Sequence, residues 1–167
     1  MIKTTSGLSP AFLESLKDNH YSRKVKSNFL AYDCKYEFCR FFVLKNGDNK
    51  VAVINQFNST MTIASIREYS LSKVDLSELV TLVKLNMPQT IEIEVCYAPY
   101  FEEYLDDYNV EERTEFEYSP KKHSPNMIVN ECPKLDDVAD ILKTSFPVIA
   151  SGYDLWLTDT SHRVRRG

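Results

Sequence analysis

Glycine is scarce in this chain: four residues, Gly7, Gly47, Gly152 and Gly167, none near another. That scarcity removes the phosphate-binding loops built on clustered glycine. There is no GxGxxG and no GxxxxGK[ST], and neither HExxH nor GxSxG occurs. Soft metal ligands are equally thin. The four cysteines, at 34, 39, 96 and 132, form no CxxC, and the three histidines, at 20, 123 and 162, stand far apart. A zinc site needs such ligands closely set, so no metal is expected. The cysteines are expected to be buried or half-buried thiols in a reducing compartment. No window approaches the roughly 20 apolar residues of a membrane span. Behind Lys3 there is no apolar run of the signal-peptide kind. The expectation is a cytoplasmic protein away from the membrane. A net charge of -4 gives no electrostatic footprint for nucleic acid.

What is present is a globular composition, 43% hydrophobic with ten Tyr and nine Phe, in a chain of 167 residues. That suffices for one ordinary domain or two small ones, and it is too aromatic for disorder. Ser9-Pro10 reads as a helix N-cap followed by a first-turn proline, and Phe12, Leu13 and Leu16 share the face behind it. Asn19-His20 stops that helix. A second helix places Tyr21, Val25, Phe29 and Tyr32 inward, with Arg23, Lys24 and Lys26 outward as a solvated basic face. Residues 36–44, 50–57 and 61–66 alternate as strands, joined by Asn46-Gly47-Asp48-Asn49 and Asn58-Ser59. Such spacing predicts an antiparallel meander, its first strand covered on both faces.

A helix over 75–85 is expected to open with a capping box of Asp75 and Glu78 and to bury Leu76, Leu79, Val80 and Val83. Met87-Pro88 ends it. Residues 91–96 then read as a strand with one wet face, and 99–105 as a short helix. Eight carboxylates between Glu102 and Glu117 face Arg113 alone, the pattern of a solvated surface rather than of a buried catalytic pair. Residues 115–118 read as a further strand. The linker Ser119-Pro-Lys-Lys-His-Ser-Pro-Asn126 holds two prolines and no apolar residue, which divides the chain into 1–119, 120–126 and 127–167. The fold class expected is α/β, of the α+β kind: a mostly antiparallel mixed sheet flanked by helices.

Beyond the linker come a short strand near 127–130, a helix over 134–146 with Leu135, Val138, Ile141 and Leu142 inward, and a second helical pattern over 153–163. His162 fits the end of that helix, where the aligned peptide dipoles favour a cation. Arg163, Arg165 and Arg166 suit a phosphate or a solvated tail equally. The Ser, His and Asp near 160 do not make a triad by adjacency, because triads assemble across a fold.

The run Trp156, Asp159, Ser161, His162, Arg163, Arg165, Gly167, preceded by a strand, a helix and a linker, resembles the opening of the acyl-CoA-dependent N-acetyltransferase (GNAT) domain in a group of bacterial two-domain proteins. Arg166 departs from that pattern, which has histidine there. The resemblance implies an acetyltransferase using acetyl-CoA on a small-molecule or peptide amine, preceded by an extra α/β module of similar size. It also implies a pyrophosphate-holding turn, Q/RxxGxG/A, after a long central strand and before a helix, where backbone N–H groups cradle the phosphates. No segment here matches that turn. The expectation is therefore a chain ending before the cofactor site, with no cofactor bound and no catalytic residue assignable. Tyr153, Asp159, His162 and Arg163 are the candidates for the acceptor side. A homodimer completing the sheet through 127–163 is expected if those residues find no other partner. The alternative is a non-enzymatic α/β module for substrate recognition or protein contact.

Overall fold

A computed structural model describes residues 1–114, which make one unit. The elements expected at 115–118, 127–130, 134–146 and 153–163 lie outside the described residues. Within them the chain forms β1 (Ile2–Thr4), α1 (Pro10–Ser15), α2 (His20–Tyr32), β2 (Cys39–Asn46), β3 (Asn49–Phe57), β4 (Thr60–Ser65), α3 (Lys73–Asn86), β5 (Thr90–Glu92) and α4 (Ala98–Tyr104), with a single 3₁₀ turn at Val95–Tyr97.

The five strands lie in the order of the chain, β1-β2-β3-β4-β5. All pairs are antiparallel except the last, where β5 runs parallel to β4. A parallel neighbour needs a crossover, and α3 supplies it. This is an α/β fold with a mixed sheet between helices. The meander follows the expected turns: Gly47 takes a φ of 59° and Asn58 one of 51°, the left-handed region that Gly and Asn tolerate best.

Alternation along the strands feeds two cores, one on each face of the sheet. Cys39, Phe41, Val43, Val53 and Ala64 pack with Leu13, Leu16, Val25 and Tyr32 of the first helical layer. Phe42, Leu44, Ile54, Met61 and Ile63 pack with Leu76, Leu79, Val83 and Phe101 of the second. Both faces are covered, so the inner strands read as nearly continuous apolar runs.

The structure corrects the sequence reading at several points. β1 was not anticipated, because three residues are too few to show a period. β2 starts at Cys39, since Tyr36 turns back to bridge it. α3 opens two residues earlier than expected, capped by Ser72, and Asp75 is the third helical residue of the box rather than its cap. Lys24 and Lys26 are half-buried and paired with Glu92 and Glu14 rather than solvated. The strand expected over 91–96 pairs only at 90–92, and the face carrying Glu92 and Glu94 is half-buried rather than wet. Cys39 is buried and Cys34 half-buried, but Cys96 is exposed.

Candidate functional site

Tyr153, Asp159, His162 and Arg163 lie outside the described residues. Among the described residues, the polar chemistry gathers where β4 ends: along the turn into α3, and in the seam between β4 and β5.

The turn Ile66-Arg-Glu-Tyr-Ser-Leu-Ser72 contains no glycine. Its last residue, Ser72, accepts from the Asp75 N–H at 3.2 Å. In return the Asp75 carboxylate accepts from the Ser72 N–H at 2.8 Å and from its hydroxyl at 2.7 Å. The Tyr69 hydroxyl donates to the same carboxylate oxygen at 2.7 Å and accepts from Asn46 Nδ2 at 2.7 Å. The sequence makes this local: a hydroxyl and a carboxylate three residues apart at a helix start reach back to each other. Burial pushes the Asp75 carboxyl up, but the hydrogen bonds from Ser72 and Tyr69 outweigh it and hold the group below its ordinary value. The positive end of the α3 dipole is thus already matched by an anion from the chain itself. A hollow of about 260 Å³ lies over this cap, bordered by Lys45, Asn46, Ser72, Asp75 and Glu78. Its two carboxylates are balanced by the Met1 ammonium, which pairs with Glu78 at 2.6 Å, and by Lys45, so the wall carries no net charge to draw an anion.

In the seam, β4 and β5 pair only from Thr60↔Thr90 to Thr62↔Glu92. Past that point the link between α1 and α2 takes over the flank of β4. Leu16 bridges Ile66 in antiparallel fashion. The Lys17 N–H donates to the Ser65 carbonyl and the Arg67 N–H to that of Ser15, both at 3.0 Å. The Arg67 guanidinium adds bonds to the carbonyls of Leu16 (3.2 Å) and Glu14 (2.9 Å). Leu16 itself is fully buried. A partner strand or an amide-bearing ligand would need that backbone edge, and the chain occupies it.

Charged side chains close what remains. Glu92 receives the Lys24 ammonium at 2.6 and 2.8 Å and the Thr62 hydroxyl at 2.7 Å. Glu94 receives Lys17 at 2.9 Å on both oxygens and the Ser65 hydroxyl at 3.2 Å. Burial raises the Glu92 carboxyl, but the bonds from Lys24 and Thr62 and the Lys24 charge prevail and leave it below its ordinary value. A general base poised near neutrality needs the opposite displacement. This carboxylate is a member of an ion pair, not a proton acceptor in waiting. Nor is Cys34 an activated nucleophile: burial and then the charge of Asp33 push its thiol up.

Sequence reasoning missed all of these partners. The only local sign was the Glu92, Glu94 alternation, which puts both carboxylates on one face of a strand. Their lysines, Lys24 and Lys17, stand 68 and 77 positions away. Among the described residues no group of three or more His, Cys, Asp or Glu is placed to hold a metal ion, and no helix is long and apolar enough to cross a membrane. Comparison with known protein families, with curated proteins and with solved structures gives no match.

Proposed function

We propose that residues 1–114 are a non-catalytic module at the front of a GNAT-like N-acetyltransferase, and that this chain neither holds acetyl-CoA tightly nor transfers from it. The complete enzyme moves an acetyl group from acetyl-CoA to a small-molecule or peptide amine, with Tyr153, Asp159, His162 and Arg163 on the acceptor side. In such an enzyme, catalysis is alignment of amine and thioester, a donor for the developing oxyanion and a base for the amine proton. Support for the family comes from the run 156–167.

One observation carries the reading that this module is inert. A strand, a turn and a helix N-terminus in succession can cradle a phosphate, and residues 1–114 offer such a step from β4 to α3. Here the turn lacks glycine, and Asp75 fills the helix end with its own negative charge. A phosphate arriving there meets a buried carboxylate that already holds the Ser72 N–H.

Isothermal titration of the 167-residue chain with acetyl-CoA tests this. No saturable heat is expected, and a micromolar Kd would overturn it. The coding sequence past Gly167 tests the family: a QxxGxG-like segment is expected there. A stop codon would favour the second reading, a non-enzymatic recognition or protein-contact module. Leu85 and Met87, exposed at 75% and 79% at the end of α3, favour that alternative. A cytoplasmic setting is part of the proposal, supported by free thiols at Cys34 and Cys96.

A further inference from the structure

Residues 90–96 are tied to the rest of the sheet unevenly. Backbone pairing with β4 covers three residues. The Gln89 and Thr90 N–H groups add bonds to the Ser59 carbonyl, and Ile91 and Ile93 pack half-buried against the α3-side core. On the opposite face the ties are polar: Glu92 with Lys24 and Thr62, Glu94 with Lys17 and Ser65. The two ion pairs keep between 23% and 31% of their side-chain surface in water. On either side of this stretch the chain is pinned by groups that ions do not reach. Pro88 is buried, and its carbonyl accepts from the Tyr108 hydroxyl. Tyr97 accepts from the Leu71 N–H at 3.0 Å, and Phe101 and Leu105 are buried just beyond it.

We propose that the paired charges form an ionic clasp: 90–96 is a strap fixed at both ends by packing, held flat in its middle by Lys17–Glu94 and Lys24–Glu92, and bowing off β4 when salt screens them. The physical basis is the difference between the two kinds of tie. Coulomb attraction between half-exposed charges weakens as counterions gather, whereas the burial of Pro88, Phe101 and Leu105 does not. Three residue pairs of ladder and two half-buried isoleucines hold the middle only in part, and short ladders open locally well below the free energy of global unfolding. Bowing frees the Thr62 and Ser65 hydroxyls and uncovers the flank of β4 between the β5 pairing and the Leu16 bridge.

Amide hydrogen exchange on the full chain, read by mass spectrometry, tests the clasp without any substitution. Sodium chloride is raised from about 0.01 M to about 1 M, which shortens the Debye length from about 30 Å to about 3 Å. Peptides covering 90–94 are expected to exchange roughly tenfold faster at the high salt, while those covering 51–65 stay unchanged. The double variant Glu92→Gln, Glu94→Gln is expected to exchange fast in 90–94 at both salts, with its meander as protected as before. Salt-independent exchange in 90–94 of the unmodified chain would overturn the proposal. So would exchange of 90–94 in step with 51–65 under both conditions, since that marks one cooperative unit with no clasp.

Discussion

On one flank, β4 runs against β3 through six consecutive residue pairs, from Ala52↔Ser65 to Phe57↔Thr60. On the other it meets β5 for three, and then the link between α1 and α2 at Ile66. The first flank is a uniform backbone ladder whose side chains, Val53, Ile54, Ile63 and Ala64, feed both cores. The second is assembled from unlike pieces: a short parallel ladder, a buried leucine, and two lysine–glutamate pairs. The difference teaches how a sheet accommodates a strand that diverges from its neighbour. Backbone groups left over by the divergence are satisfied from a third segment, and the gap between is filled by charges that satisfy one another.

The largest break in the comparison is expected at Leu16. Its side chain is fully buried and anchors the link on the seam. Leu16→Ala removes transfer energy and leaves a cavity, a loss of about 2–5 kcal/mol. In urea denaturation this appears as a lower midpoint with the slope retained. The cost should be the same at low and high salt, because packing carries it. A loss under about 1 kcal/mol would mean that the link rests on the seam without being anchored there.

Acid sharpens the contrast next. Asp75 and Glu92 both have carboxyls held below their ordinary values. Such a group adds stability once the pH is above its unfolded-state pKa, and that stability is lost as the pH falls through the lower folded-state value. Nothing should therefore change between roughly pH 6 and pH 8 on account of these two groups, and stability should fall below roughly pH 4. Asp75→Asn, which cannot ionise, should reduce the acid-dependent part of the loss, along with a baseline cost of about 1 kcal/mol for the weakened cap. Thermal melts of both proteins across that range check it. Parallel curves would remove Asp75 from the account.

How far these features were legible in the sequence follows from their range. The meander was legible because its signals are local: alternation of period two over 39–57 and positive-φ residues, Gly47 and Asn58, between the strands. The helix pair was legible for the same reason, with Ser9 capping as placed, though Asn19, read as the end of the first helix, caps the second. α3 was found but its start misjudged, because Ser72–Asp75 and Asp75–Glu78 offer the same three-residue spacing. Only packing decides, and it buries Asp75 at 4% exposure while leaving Ser72 outside. Of the seam, only the Glu92, Glu94 alternation was legible. Lys24 sits among Arg23 and Lys26 on a helix and reads as solvated, and nothing near it in sequence names Glu92 as its partner. The acceptor-side candidates Tyr153, Asp159, His162 and Arg163 stand on a resemblance in 156–167, outside the described residues, and remain part of the proposal.

The smallest effect is the most specific to the seam. Lys24 and Glu92 meet at 2.6 Å with 31% and 26% of their side chains exposed, so water screens much of the attraction. A double-mutant cycle with Lys24→Met and Glu92→Gln should return a coupling of about 0.5–1 kcal/mol. Glu92→Gln alone should cost more than the coupling, because it leaves the Lys24 ammonium half-buried with its carboxylate partner gone. Adding Lys24→Met should recover part of that cost, since a methionine fills the lysine stem's volume without a charge. Repeated at about 1 M salt, the coupling should shrink by roughly half or more, while the cost of Leu16→Ala holds. The two flanks of β4 then separate by mechanism rather than by position. A coupling unmoved by salt would place the pair with the packing, and β5 would be as firmly built into the sheet as β3.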